Sequence, residues 1–474
     1  MANAVPESGF LAGKRDELKR LVERLGRDFA YASVLGTDVE GKTYEVSKFA
    51  TGIGDSTWGE RGFVVRVWDA GRYAEYAFGE WPEGTAGVEG LVRQVADLFE
   101  RSGKRDGIDH PKPSDEKATL DFSDRIGTTP EELGPDAIVA ELADLKDRML
   151  EVSPLVAQVR ILLSYAKVSK VFVSENRDLG QNYFWCSGHV AATARRDGTA
   201  RQASKSHSGM LGLELLSQMK RGYRELVETA IALLDSAPIV PGEYEVVCSP
   251  DATGMIVHEA FGHGVEMDMF LKNRAKARQY MGREVASPLV NMRDGAASAR
   301  QVSSFRFDDE GNPAGDTLII EKGILRSGIA DAVSAARLGV APSGNGKRQS
   351  FAHKAYTRMT NTFFEPGTDT LEAMIASIRR GYLIENATSG MEDPKDWGIQ
   401  CMFLYAREIM DGRLSGRLVA PVVMTGYVPE LLKNITMISD GMELSGSGAC
   451  GKGYKEYVKV SSGGPYIKTK ARLG

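Results

Sequence analysis

Of the six histidines in this 474-residue chain, two fall in one short segment, His258-Glu259-Ala260-Phe261-Gly262-His263. Two imidazoles flanking a carboxylate are the residue set of a metal-dependent hydrolase, with the histidines as ligands and the glutamate as base. In the familiar HExxH arrangement the histidines are i and i+4 and share a helix face. Here the spacing is i, i+5. At about 100° per residue, an ideal α-helix leaves such a pair roughly 140° apart. A π-bulge brings i and i+5 onto one face, and such bulges collect at functional sites. Gly262 and Gly264 bracket His263 and make that deviation, or a helix end, cheap. The motif therefore predicts irregular helix geometry. Glu259 is turned about 100° from the adjacent ligand, which suits a base rather than a ligand. Met255-Ile256-Val257 would bury the site. The competing reading is two histidines satisfying local hydrogen bonds on a half-buried helix.

A third ligand must come from elsewhere in the chain. Cys450, in Gly446-Ser447-Gly448-Ala449-Cys450-Gly451-Lys452-Gly453, is the candidate. A thiolate flanked by glycines can approach a metal unobstructed, and nearby backbone N–H groups and Lys452 would keep it ionised. Two histidines, one cysteine and an open position make a workable catalytic zinc site. The alternative for Cys450 is a small residue in a tight turn. Cys186, Cys248 and Cys401 lie in apolar runs and read as buried thiols. Glu266 and Asp268 could orient a histidine, or equally be solvated or capping carboxylates. Arg348, Arg358 and Asn361 could line a peptide cleft or serve loop structure, and no role is assigned to them. Gly446-x₄-Gly451-Lys452 also matches most of a phosphate-binding loop, but Gly453 replaces the required Ser or Thr, and strand and turn follow rather than a helix.

Stepping outward to the elements, Ser249-Pro250-Asp251 reads as a capped helix start, placing the motif on a helix near 250–270. The flanking pattern from 237 to 474 is short strands and glycine turns, a β-rich domain carrying the site. Ahead of it lie two α/β units of helix plus hairpins, 1–103 and 131–236, joined by a polar, proline-containing linker over 104–130. Helices are expected over 13–27, 88–101, 131–151 and, as one long helix, 211–235; hairpins turn at Asp69-Ala70-Gly71 and Asp197-Gly198. The fold class is α+β. Lys and Arg number 59 against 64 Asp and Glu, with no basic stripe, which argues against a nucleic-acid partner. No 18-residue apolar run exists and the start of the chain is polar, so the expectation is a cytoplasmic protein without a membrane partner.

HEAFGHGVEMD, ASPLV at 286–290, SFRFDDEGNP at 304–313, RLGVAPSGNGKRQS at 337–350, RMTNTFFEPG at 358–367 and GACGKG at 448–453, in this order, resemble the TldD/PmbA metalloprotease family over 237–474. The chain resembles the TldD-like members that carry the metal motif, not the TldE-like partners that lack it. The resemblance implies zinc held by His258, His263 and Cys450, with Glu259 catalytic. It further implies a two-domain α/β plus β architecture, and a dimer, with a second copy or a TldE-like chain, enclosing a cavity for unfolded peptide. The segment ATSGMEDPKDWGIQ at 387–400 departs from the glycine-rich stretch expected there, which bears on substrate preference. The expected activity is zinc-dependent hydrolysis of short or unfolded peptides. The alternative is a regulatory or scaffolding subunit with structural zinc.

Overall fold

The computed structural model describes residues 2–102, 110–452 and 456–474. Two large sheets dominate, one of eight strands and one of eleven. In the first, the path runs Thr199–Gly209, Arg177–Arg196, Val156–Ser174, Tyr31–Ser47, Glu60–Asp69, Arg72–Phe78. Each half is a helix followed by antiparallel strands and a further helix: Arg15–Leu25 and Gly84–Ser102 bracket one, Pro135–Glu151 and Tyr223–Ala232 the other. The halves join where Tyr31–Ser47 pairs antiparallel with Val156–Ser174. Both expected hairpins are present, with Ala70 and Asp197 at positive φ in their turns.

Strand parity decides what each face buries. On Tyr31–Ser47, Val34, Tyr44 and Val46 face the helices, while Leu35 and Val39 face the other way. The helix Arg15–Leu25 closes its side with Leu18, Leu21, Val22 and Leu25, each worth about 1.5–3 kcal/mol when buried. The opposite face receives the segment 304–313. Val302 packs with Val168, Tyr183 and Trp185, and Phe307 with Leu35, Phe172 and Leu179. Polar bonds fix the register: Gln181 donates to the Phe307 carbonyl at 2.9 Å, Arg177 to the Gly311 carbonyl at 2.9 Å, and Arg66 to Glu310 at 2.7 Å.

Two expectations need correction. The long helix over 211–235 is broken into Leu215–Met219, Tyr223–Ala232 and a 3₁₀ turn Leu233–Asp235. Gly222 at φ 73° turns the chain between the first two. Glu214 is spent on the backbone N–H groups of Gly127, Thr128 and Gly212, which ties that end down. Within 104–130, expected to be a linker, 104–109 lie outside the described residues, and Ala118–Ser123 is a strand pairing parallel with Arg177–Arg196.

In the second sheet, Gly242–Cys248 pairs parallel with Arg380–Asp393 and antiparallel with Ser461–Leu473. Gly398–Met410 and Val422–Tyr427 complete the circuit, so five strands close into a ring. Gly242–Cys248 leads directly into the site helix. That helix, Pro250–Ile256, lies against the last strand so closely that a Cβ on Gly254 would sit 2.8 Å from the Gly463 backbone. Ser249 holds the N-cap position with Pro250 first in the helix, but its hydroxyl donates to Asp251 and to the Ile384 carbonyl instead of capping a helix N–H.

Candidate metal centre

The α-helix ends at Ile256 and continues as a π-helix, Val257–Gly262, and a 3₁₀ turn, His263–Val265. The His263 N–H donates to the His258 carbonyl, the i→i+5 bond of the wider turn. The two imidazoles consequently meet edge to face, with centroids 5.0 Å apart and planes at 86°. Gly262 is required here for space: its φ is −60°, which any residue adopts, but a Cβ would lie 2.2 Å from the Met359 sulfur.

Cys450 arrives from the far end of the chain. Ala449–Cys450 pairs with Val458–Lys459, which holds the thiol against the helix. Its Sγ lies 3.3 Å from His263 Nε2, and one donor atom from each of His258, His263 and Cys450 falls within 4.8 Å of the others. The 3.3 Å pair already spans roughly the edge of a zinc tetrahedron built on bonds of about 2.0–2.3 Å. Two imidazoles and a thiolate form a borderline-soft donor set that fits zinc. Among the described residues no fourth His, Cys, Asp or Glu joins the cluster.

The three candidate donors are held by a buried charge network. Glu266 Oε2 stands 3.0 Å from His263 Nδ1, fixing that ring with Nε2 toward Cys450. Lys452 lies 3.2 Å from Glu266 Oε2 and 2.6 Å from Asp268 Oδ1, and Arg358 Nε lies 3.5 Å from Glu266 Oε1. Burial opposes charge on Glu266, yet Lys452, His263 and Arg358 hold its carboxyl far below the usual range. Burial likewise disfavours the His263 imidazolium, but Glu266 and Cys450 raise its pKa well above the ordinary value. Cys450, also opposed by burial, is brought down to about 4 by His258 and His263. The other three thiols are fully buried and pushed up by burial.

The structure assigns places to the residues left open by sequence. Lys452 serves the two acids and not the thiolate. Arg358 does the work expected of Lys452: its Nη2 donates to both the Cys450 carbonyl at 2.8 Å and Sγ at 3.0 Å. Arg348 points away, to Glu75 and to the His353 carbonyl. Asn361 donates to the Gly295 and Ala299 carbonyls and to Ser304, a loop-bracing role. Glu259 is half-buried and makes no hydrogen bond or ion pair among the described residues. Its side chain lies over Gly390, whose Cβ would fall 2.4 Å from Glu259 Cγ. Glu392, on the same strand, was not singled out by sequence. Its Oε2 is buried without a partner, and burial together with Glu259 and Glu266 pushes it to about 8, against the pull of His263.

Residues 241–471 match the PmbA/TldA metallopeptidase C-terminal domain. A metalloprotease of Synechocystis sp. is 33% identical over 307 residues, 63% of this chain and 64% of that protein. A zinc metalloprotease TldD homolog of Saccharolobus solfataricus is 28% identical over 301 residues, 63% of this chain and 67% of that protein. The chain thus spans about half to three quarters of the length of the curated relatives it matches, 60% and 64% for two of them. TldE from Thermococcus kodakarensis shares the fold, with a TM-score of 0.76 over 96% of this chain and 99% of that one, at 16% identity. Over residues 241–471, the part that carries His258, His263 and Cys450, the chain matches the TldD/PmbA family.

Proposed function

We propose that the chain is a zinc-dependent peptidase acting on short or unfolded peptides, with His258, His263 and Cys450 as ligands and Glu259 as base. The observation that carries this reading is the contrast between two carboxylates of the motif segment, Glu259 next to His258 in the chain and Glu266 against the His263 ring. Glu266 is locked by His263, Lys452 and Arg358, whereas Glu259 is free. A bound zinc supplies a Lewis acid that polarises the scissile carbonyl and acidifies water. Glu259 takes the proton of the attacking water and returns it to the leaving amine. Glu266 keeps His263 oriented, and Arg358 holds the Cys450 sulfur in place. An extended peptide joining a strand edge would be gripped mainly through its backbone, with little sequence selectivity.

The absence of a fourth protein donor among the described residues favours this over a scaffolding subunit with structural zinc, since structural sites close with four protein ligands. The proposal extends to assembly: a cytoplasmic dimer, with a second copy or a TldE-like chain, whose sites face an enclosed chamber. Zinc analysis combined with digestion of a peptide mixture, with and without chelator, tests the activity. The expected result is about one zinc per chain and cleavage that chelation abolishes and zinc restores. Cleavage indifferent to chelation would overturn it.

A further inference from the structure

Beside the metal centre, between the two sheets, lies a cavity of about 90 Å³ walled by Trp58, Trp185 and Val302 and closed by Lys347 and Lys459. It continues into a second lobe of about 370 Å³ that shares Trp58, Glu60 and Gln349 and ends at Ala449 and Tyr457. Ala449 directly precedes Cys450, and Lys459 stands opposite Ala449 in the same two-stranded pairing. The cavity is therefore built on the hairpin that carries the metal-ligand candidate.

Two of the cations lining it are paired with carboxylates. Lys170 forms a close ion pair with Asp309, and Arg348 is held by Glu75. Asp308 accepts the backbone N–H groups of Glu310, Asn312 and Gly346, and Glu60 accepts that of Phe351. The lysines differ. Lys347 meets only neutral oxygens, those of Ser303, Met359 and Lys459. The Lys459 ammonium sits 4.7 Å from the Trp185 ring centre and 5.5 Å from that of Trp58. No oxygen accepts its protons among the described residues. Aromatic faces attract a cation but do not satisfy its three N–H donors.

We propose that this cavity is a substrate subsite for a carboxylate, which Lys459 binds between the two tryptophans; the proposal rests on the peptidase reading above. The carboxylate is either an acidic side chain or the free C-terminus of the peptide. Burial lowers Lys459, and Lys347 as well, to about 7, so an incoming anion supplies the countercharge that Lys459 lacks among the described residues.

The tryptophans report binding directly, without any need for hydrolysis. The metal-free chain is titrated, following tryptophan fluorescence, with three probes: N-acetyl-tetraalanine, its C-terminal amide, and the amide with one alanine replaced by aspartate. We expect at least tenfold tighter binding of one or both carboxylate peptides than of the plain amide. Preference for the free acid identifies the C-terminus as the ligand, and preference for the aspartyl amide identifies the side chain. Lys459→Met should erase the preference and Lys459→Arg should retain it, which separates lost charge from lost fold. Equal binding of all three probes, no binding to the wild-type chain, or an unchanged preference in Lys459→Met would overturn the subsite. Carboxylate-selective binding in a chain that hydrolyses nothing would instead overturn the peptidase reading and leave the subsite standing.

Discussion

At the scale of single residues, the centre separates groups that would touch the ion from groups that hold them. Cys450→Ser would remove one of the three proposed ligands, so zinc affinity should fall by more than the roughly 10–100-fold that follows loss of an outer partner. Glu266→Gln or Arg358→Met should fall within that smaller range; dialysis against a competing chelator ranks all three. The protonation states set a pH dependence. Cys450 is lowered to about 4, so its thiolate is already formed at neutral pH. His263 is raised well above its ordinary value and holds a proton there that zinc must displace. Affinity should therefore rise with pH through neutrality, with about one proton released per ion. Calorimetry in buffers of different ionisation heat counts that proton; a count of zero or two would contradict the assignment. The histidines and Cys450 were legible because their types and spacing are chemically unusual. The partner of Cys450 was not: Arg358 is remote in sequence, and Lys452, nearer in sequence, is claimed in space by Glu266 and Asp268.

At the scale of elements, the decisive one is the π-helix Val257–Gly262. The i, i+5 spacing foretold it, because no regular helix aligns that pair. The reason for Gly262 was hidden in tertiary packing. The glycine leaves room for the buried Met359, which its own backbone conformation does not reveal. Gly262→Ala should destabilise the chain by about 1–3 kcal/mol through overpacking and loosen zinc with it. Met359→Ala in the same chain should recover part of that loss, and denaturant titration of the double-mutant cycle measures the coupling. Simple additivity would show that Met359 is not the obstacle. Elements that depend on distant partners escaped the sequence reading. The strand Ala118–Ser123 exists because Arg177–Arg196 offers it an edge, and the break at Gly222 separates helices that periodicity alone joins.

At the scale of the whole molecule, segments far apart in the chain build the site. The ring closes only when Gly242–Cys248 meets Ser461–Leu473, and the hairpin bearing Cys450 lies just ahead of that last strand. Periodicity read the strands as short and β-rich but carried no information about which would pair, so the α+β class was legible and the ring was not. Segment 304–313 serves to dock the two sheets, which couples the integrity of the centre to the N-terminal half. The proposed chamber predicts that an unfolded polypeptide is cut while its stably folded form is spared, by a species whose light-scattering mass is that of a dimer. Equal cleavage of both forms, or an active monomer, would contradict enclosure. The account as a whole turns on Glu259, the carboxylate next to His258 in the chain, which makes no hydrogen bond or ion pair among the described residues. Its most direct test is the hydrolysis rate of one unfolded peptide by Glu259→Gln and wild-type chains carrying the same measured zinc. The account predicts full zinc occupancy in both and a rate at least about 10²-fold lower in the variant. Near-equal rates at equal zinc would contradict it.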